Sequence, residues 1–187
     1  MSIARELLRT LCSRVATKYS PFFRNFPSLS FSKKMANTYT QLYVQYVFAV
    51  KYREKLIPKK HKEELHKYIT GIVQEQKHKM LGVNCMPDHS HIFVGMKPIR
   101  SVASLIQEIK TNATLFINDR NWFNGKFAWQ DGYAAFTYGH SQIGNVIRYI
   151  ENQEEHHRRK SFREEYFDFL KKFEIEYNEK YLFEFFD

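Results

Sequence analysis

The order of six regular segments between residues 42 and 138 restricts the possible folds more than any other feature of the sequence. Four of them are short runs of β-branched, aromatic and other apolar residues, which favour strands, and two have apolar side chains at helical spacing. Along the chain they read strand, helix, strand, strand, helix and strand. The predicted strands are residues 42–50, 81–86, 89–96 and 133–138.

Both predicted helices have a start signal and an apolar stripe. The first opens at Ile57-Pro58, and the second is introduced by Pro98 and Ser101. This succession is the split βαβ of ferredoxin-like folds, an α+β arrangement with an antiparallel sheet and both helices on one face. The other face of the sheet is expected to be open and available for function. The stripes are Leu65, Tyr68, Ile69 and Ile72, then Val102, Leu105, Ile106 and Ile109.

A further C-terminal helix is predicted within SQIGNVIRYIENQEEHHRRK, after the fourth strand. Ser141 is a suitable N-cap for it. Tyr149 and Gln153 are four residues apart and therefore lie beside each other on one flank of the apolar stripe, with His156 continuing the row. We expect the tyrosine to meet the open face of the sheet. The stripe is formed by Ile143, Val146, Ile147 and Ile150.

The stretch MPDHSHIFV places His89 and His91 at the start of the third strand. Alternate residues of a strand point to the same face, so both imidazoles are expected to point together. Such a pair is compatible with half of a metal site, with a nucleic-acid contact or with chance. Taken singly, the histidine pair and the tyrosine are each explained better by ordinary packing.

The net charge of +9 is distributed unevenly. Residues 36–163 contribute +8, which is consistent with a polyanionic partner, and residues 1–35 contribute +6. The first 35 residues are rich in serine and arginine and end at Met35, as in an organellar transit peptide or a translated upstream stretch. We expect a dispensable extension outside the fold, followed by a catalytic domain over residues 36–160.

The last part of the chain is acidic and aromatic. Residues 164–187 contribute −5 and contain nine aromatic residues, so residues 161–187 are expected to pack as a helix and strand on the core or on a partner subunit. A weaker hypothesis is that part of this segment, residues 174–187, competes with DNA for the basic surface.

No apolar run approaches the roughly 18 residues that a membrane span needs, so we expect a soluble, cytoplasmic protein without a membrane partner. Cys12 and Cys85 provide neither a disulfide framework nor a paired-cysteine zinc site. That cysteine usage indicates a reducing compartment.

Three motifs in order, MPDHSHIFV, WQDGYAAF and VIRYIENQ, resemble the single-tyrosine HUH transposases of small bacterial insertion sequences. The resemblance covers about residues 36–160. It departs from the family at Ser90, because the residue between the two histidines is usually bulky and hydrophobic. Since that position points away from the histidine pair, Ser90 is expected to affect packing more than chemistry.

The resemblance implies a metal-dependent tyrosine DNA transposase that cleaves and rejoins single-stranded DNA. It makes His89 and His91 metal ligands, Gln153 a third ligand through its side-chain oxygen, and Tyr149 the nucleophile that forms a 5′-phosphotyrosine. Imidazole ligands suit Mn²⁺ better than Mg²⁺, although the family is generally taken to use Mg²⁺. The implied partners are single-stranded DNA with hairpin ends and a second copy of the chain, in a homodimer whose tyrosine helix can complete the partner's site. No small-molecule substrate is expected.

Basic and aromatic side chains near these motifs are candidates for DNA contacts. The basic ones could contact phosphates and the aromatic ones could stack on unpaired bases, although for each residue taken singly an ordinary surface or core role is favoured. They are Lys110, Lys126, Arg148, Arg158 and Arg159, with Trp122, Phe127 and Trp129.

Two other functions remain open at this point. A non-catalytic module that binds single-stranded nucleic acid on a ferredoxin-like sheet would need neither the histidine pair nor the tyrosine. A domesticated relative would cleave repeat hairpins without moving an element of its own. Imperfect palindromes on both sides of the gene would separate a mobile transposase from such a relative.

Overall fold

The computed structural model describes residues 39–178 and residue 182, so the N-terminal extension and Cys12 lie outside the described residues. Four antiparallel strands form one sheet in the order β2-β3-β1-β4, with β1 and β3 at its centre. This topology confirms the predicted α+β, ferredoxin-like arrangement. The strands are β1 Leu42–Ala49, β2 Lys79–Cys85, β3 His89–Met96 and β4 Ala134–Tyr138.

Two long helices, α1 (Lys62–Glu75) and α2 (Val102–Asp119), cover one face of the sheet as predicted. Ser101 caps α2, because its side chain accepts a hydrogen bond of 3.1 Å from the Ser104 amide. The apolar stripes of both helices are buried against alternate residues of the central strands. This main core includes Leu65, Ile69, Leu105, Ile106 and Ile109 from the helices and Tyr46, Phe48, Ile92 and Val94 from the sheet.

Two leucines of α2 allow a matched test of this core. Leu105 is fully buried, whereas Leu115 is 62% exposed. We expect Leu105→Ala to lower the free energy of unfolding by about 2–5 kcal/mol, because it removes apolar contacts and leaves a cavity. Leu115→Ala should change it by no more than about 0.5 kcal/mol. Urea unfolding of both variants measures the difference. Equal losses of unfolding free energy would contradict the conclusion that Leu105 lies on the buried face of α2 and Leu115 on its exposed face.

The opposite face of the sheet is covered as well, so the expectation of an open face was wrong. Helix α3 (Ile143–Glu151) packs Val146 and Ile150 on Phe93, and helix α5 (Phe162–Lys172) packs on β1 and β4. The physical reason is that the strand residues facing this side are also apolar and gain free energy when a helix buries them. The contacts of α5 join Phe162, Tyr166, Phe169 and Leu170 to Val47, Ala49, Ala134 and Phe136.

Details at the ends of the C-terminal helices also differ from the predictions. Ser141 is not an N-cap, because a 3₁₀ turn, His140–Gln142, precedes α3 and the Gly139 amide donates to the Gln142 side-chain oxygen at 2.9 Å. The helix is interrupted at Asn152, and the short helix α4 (Gln153–His156) follows. The helix expected in residues 161–187 is α5, whereas residues 173–178 contain no strand and the rest of that segment, apart from residue 182, lies outside the described residues. No helix in the described part of the chain is long and apolar enough to span a bilayer.

His66, on α1, makes stability depend on pH. Its Nε2 accepts a hydrogen bond of 2.9 Å from the Cys85 amide, and burial, followed by the nearby Lys62 charge, lowers the pKa of His66 to about 4. Below about pH 6.5 the histidine is protonated in the unfolded chain but stays neutral in the folded chain. The free energy of unfolding therefore decreases as the pH is lowered.

As the pH is lowered from 6.5 to 4, we expect His66 to reduce the free energy of unfolding by up to about 1.4 kcal/mol per pH unit. His66→Gln keeps an acceptor for the Cys85 amide but does not titrate, so it should flatten that part of the profile. Urea unfolding across the pH range measures both proteins. Parallel profiles would contradict the assignment.

Candidate metal and tyrosine site

His89 and His91 lie on the face of β3 that α3 and α5 cover, whereas Ser90 is buried toward α1 and α2. The two imidazole rings are 5.2 Å apart, and the residues are 2% and 0% exposed. His89 Nδ1 and Asp88 Oδ1 are 2.6 Å apart, and Arg53 pairs with the same carboxylate. Although Asp88 favours the charged imidazole, burial outweighs it and lowers the pKa of His89 to about 3. His89 is therefore neutral at pH 7, with Nε2 available as a ligand.

A buried amide orients His91. Gln45 Nε2 is 3.2 Å from His91 Nδ1, and Gln45 Oε1 accepts a hydrogen bond of 2.7 Å from the Tyr138 hydroxyl. In this orientation the amide donates to Nδ1. A half-turn of the amide would instead give Nδ1 an acceptor and leave the Nε2 lone pair free for an ion.

Tyr149 lies beside this pair in the same chain. Its ring centroid is 6.0 Å from that of His91, 5.2 Å from that of His156 and 5.7 Å from that of Phe169. The partly exposed tyrosine lines two clefts, of about 390 and 830 Å³. The predicted nucleophile and the predicted metal pair are therefore neighbours, without any contribution from a second copy.

Gln153, the predicted third ligand, is fully buried near the histidines. Its Nε2 donates a hydrogen bond of 2.9 Å to Glu165 Oε1. Its Oε1 is buried and has no hydrogen-bond partner among the described residues. An amide oxygen in that condition is costly unless an ion or a water satisfies it, which fits a role as a ligand.

Two side chains that the sequence reasoning missed, His157 and Glu165, join the histidine pair. One nitrogen or oxygen from each of His89, His91, His157 and Glu165 lies within 4.8 Å of the others. Glu165 Oε2 is 3.4 Å from His91 Nε2 and 3.3 Å from His157 Nε2. Burial is also the main cause that lowers the pKa of His157, to about 4, so this imidazole is neutral at pH 7.

A sequence signal for Glu165 existed. Phe162, Glu165, Tyr166 and Phe169 follow the spacing of one helix face, so an acidic residue interrupts the apolar stripe of α5. Charged residues are rarely buried unless they are paired or bind a metal. His157 had no such signal, because the run EEHHRRK was interpreted as a solvated face.

The predicted DNA contacts fall into separate groups. Arg148 and Arg159 line the larger cleft beside Tyr149, and Arg158 and Arg159 pair with Glu155. Lys110 belongs to α2 on the other side of the sheet, where its amine binds the carbonyls of Gln130 and Gly132. The structure does not bring it together with the tyrosine.

Two of the three aromatic candidates for base stacking have the ordinary core role that was favoured for each of them singly. Phe127 and Trp129 are 2% and 6% exposed in the main core. Trp122 stacks on His61 with a ring distance of 4.6 Å. Lys126 is exposed. The WQDGYAAF motif therefore contributes its aromatic side chains to packing.

Comparisons with known proteins identify the family of this chain and a similar fold. The sequence pattern of the family described as "Transposase IS200 like" matches residues 38–153. A candidate transposase from Deinococcus radiodurans R1 has a similar solved structure, with 20% identity, a TM-score of 0.50, and coverage of 65% of this chain and 97% of the other. A REP-associated tyrosine transposase bound to a REP hairpin is 14% identical, with a TM-score of 0.49 and coverage of 65% and 72%. No curated protein sequence matches significantly. Because the pattern covers more than half of its length, this chain belongs to the IS200-like transposase family.

Proposed function

We propose that this transposase cleaves and rejoins single-stranded DNA through a covalent 5′-phosphotyrosine on Tyr149, with a divalent metal at His89 and His91. One observation carries the proposal: the ring of Tyr149, at the edge of an open cleft, lies 6.0 Å from the ring of His91. A nucleophile next to a group of buried ligand atoms is the arrangement that phosphoryl transfer requires.

The cleavage step conserves atoms and charge without water or ATP. Tyr149 Oη attacks the scissile phosphorus and forms the tyrosyl ester, while the bond from phosphorus to the 3′ oxygen breaks. The phenol proton leaves Tyr149 and a proton reaches the 3′ oxygen, which becomes a free hydroxyl. His156, whose ring is 5.2 Å from that of Tyr149, is placed to accept the phenol proton. Attack by a 3′ hydroxyl on such an ester rejoins strands.

The side chains present fit a divalent cation, Mg²⁺ or Mn²⁺. Buried atoms without hydrogen-bond partners among the described residues include His89 Nε2, His91 Nε2 and Gln153 Oε1. When bound there, the ion would polarise the scissile phosphate and balance the charge that develops on it. Asp88 fixes His89 and Gln45 fixes His91, so both imidazoles are held in place before DNA arrives.

Single-stranded DNA with hairpin ends is the proposed partner. Three basic side chains, Arg148, Arg159 and Lys160, and two acidic ones, Glu155 and Glu164, line the cleft beside Tyr149. The excess of positive charge favours a phosphate backbone. Arg158 lies next to this group. Hydrogen bonding to two backbone carbonyls leaves Lys110 unsuited to such a contact.

We also propose a homodimer in solution. Tyr149 and the histidine pair already meet within one chain, so the dimer is not required to assemble the site. Light scattering on the purified full-length chain measures the mass, and a monomeric mass at micromolar concentration would rule out a stable dimer.

The test of the proposed function is formation of a covalent adduct. The full-length protein is mixed with labelled single-stranded DNA carrying a hairpin from the element's end and its flank, with Mn²⁺ or Mg²⁺, and run on a denaturing gel. A labelled protein–DNA band that requires the metal supports the proposal. Binding of the same DNA in a native gel, with no adduct in either metal, would favour the non-catalytic binding module instead.

A further inference from the structure

Glu165 is an unusual residue to find in contact with a histidine pair. Its side chain is 3% exposed, and its Oε1 accepts the hydrogen bond from Gln153. Oε2 has no hydrogen-bond partner, and no lysine or arginine pairs with Glu165 among the described residues. The basic groups near its two oxygens are the imidazoles of His91, His156 and His157, at 3.4, 3.6 and 3.3 Å. A buried carboxylate without a hydrogen-bonded cation is unfavourable unless it binds a metal ion.

Two of the surrounding imidazoles, those of His89 and His157, are arranged as ligands are, and His91 joins them once the Gln45 amide has made the half-turn described above. His157 Nδ1 lies 2.9 Å from the Lys160 carbonyl and can donate to it, and His89 Nδ1 is held by Asp88. The Nε2 atoms of His89, His91 and His157 are all buried without hydrogen-bond partners among the described residues. A ring anchored through one nitrogen, with the other nitrogen pointing into a polar cluster, is the usual arrangement of a metal-binding histidine.

The distances from Glu165 to two of the histidines can be compared with the values expected for two coordination geometries. Ligands about 2.1 Å from a tetrahedral ion lie about 3.4 Å apart, whereas neighbours in an octahedral shell of that size lie about 3.0 Å apart. Glu165 Oε2 is 3.4 Å from His91 Nε2 and 3.3 Å from His157 Nε2, which is closer to the tetrahedral value. The four donor atoms as a set lie within 4.8 Å of one another, so they would draw closer together around a bound ion. Three nitrogens and one oxygen also suit Zn²⁺ or Co²⁺ better than Mg²⁺.

The geometry points to a closed, four-donor centre for a transition metal ion, formed by His89, His91, His157 and Glu165. The inference rests on the proposed metal site at the histidine pair and adds two donors to it. Gln153 is a positioning residue in this state, because its amide nitrogen holds Glu165. Four protein donors fill a tetrahedral shell, so a DNA phosphate would have to replace one of them or enter as a fifth ligand.

Binding of Co²⁺ to the full-length protein tests the centre without reference to cleavage. A tetrahedral Co²⁺ site absorbs intensely in the visible range, and an octahedral site absorbs weakly. We expect intense bands that one equivalent of Zn²⁺ removes. We expect Glu165→Gln and His157→Gln each to abolish these bands and to weaken Zn²⁺ binding by about 100-fold or more, since even groups outside the ligand shell contribute about 10–100-fold.

Matched controls separate loss of a donor from loss of the fold. Glu155→Gln changes an exposed glutamate that pairs with Arg158 and Arg159, and should leave the spectrum unchanged. Thermal unfolding in chelator checks that each variant folds, and added Zn²⁺ should raise the melting temperature of the unsubstituted protein but not of the two donor variants. Weak octahedral bands, or intense bands that survive in both folded donor variants, would overturn the inference.

The two proposals fail in different ways. An adduct on Tyr149 together with octahedral Co²⁺ would leave the cleavage proposal intact and remove the four-donor centre. A tetrahedral spectrum that depends on Glu165, with no adduct under any metal, would leave the centre and remove the cleavage proposal.

Discussion

Replacing Tyr149 by phenylalanine is expected to reduce formation of the DNA adduct to background, a loss on the order of 10⁴-fold or more. The substitution removes the only oxygen of the side chain, so no tyrosyl ester can form at this position. The ring itself remains, and with it the contacts with His91 and Phe169. We therefore expect the variant to fold normally and to bind the hairpin DNA with little change in affinity.

Tyr133→Phe is the control for this experiment, because Tyr133 packs near Tyr46 on the other side of the sheet. That variant should form the adduct at the normal rate. Adduct formed by Tyr149→Phe at the same rate as the unsubstituted protein would show that another nucleophile acts. Mass spectrometry of the digested adduct then identifies the residue that carries the DNA.

Replacing His91 by alanine is expected to slow adduct formation by about 10³-fold. A bound metal ion contributes several kcal/mol to stabilising the transition state, and each 1.36 kcal/mol corresponds to a factor of about ten in rate. His91 is fully buried, so the variant also loses packing, and His91→Gln provides a larger, polar replacement. The measurement is the adduct rate as a function of Mn²⁺ concentration, with binding of Mn²⁺ followed by calorimetry.

His61→Ala serves as the comparison, because His61 stacks on Trp122 and is not one of the four residues grouped as possible metal ligands. It should retain both the rate and the metal dependence. If His91→Ala and His91→Gln are folded in chelator and still show an unchanged Mn²⁺ dependence, His91 does not hold the ion. The proposed site would then be wrong even if Tyr149 proves to be the nucleophile.

The sequence predicted the parts of this site that depend on local periodicity. The two-residue spacing of His89 and His91 placed both rings on one face of β3, and the stripe of α3 placed Tyr149 at its flank. The sheet topology followed from the order of strands and helices, because right-handed connections leave few alternatives. The placement of the two rings and of Tyr149 depends only on residues within a few positions along the chain.

The rest depended on where distant segments pack. Glu165 lies 74 positions after His91 in the sequence. No periodic pattern in the sequence predicts that α5 packs on the sheet beside His91. The same docking closed the face that was expected to be open. Trp129 was a candidate for stacking on DNA bases as well as for an ordinary core role, and the sequence could not decide between them. The edge-on contact with Phe48 at 4.7 Å shows that Trp129 packs in the core.

The docking of α5 also determines where this chain can be divided. The family pattern ends at residue 153, within the segment that links Tyr149 to α5. A fragment cut there would expose Val47, Ala49, Ala134 and Phe136 to water as one contiguous apolar patch on the central and edge strands. Patches of that kind promote self-association, so the shortened protein should aggregate at concentrations at which the full-length chain remains dispersed.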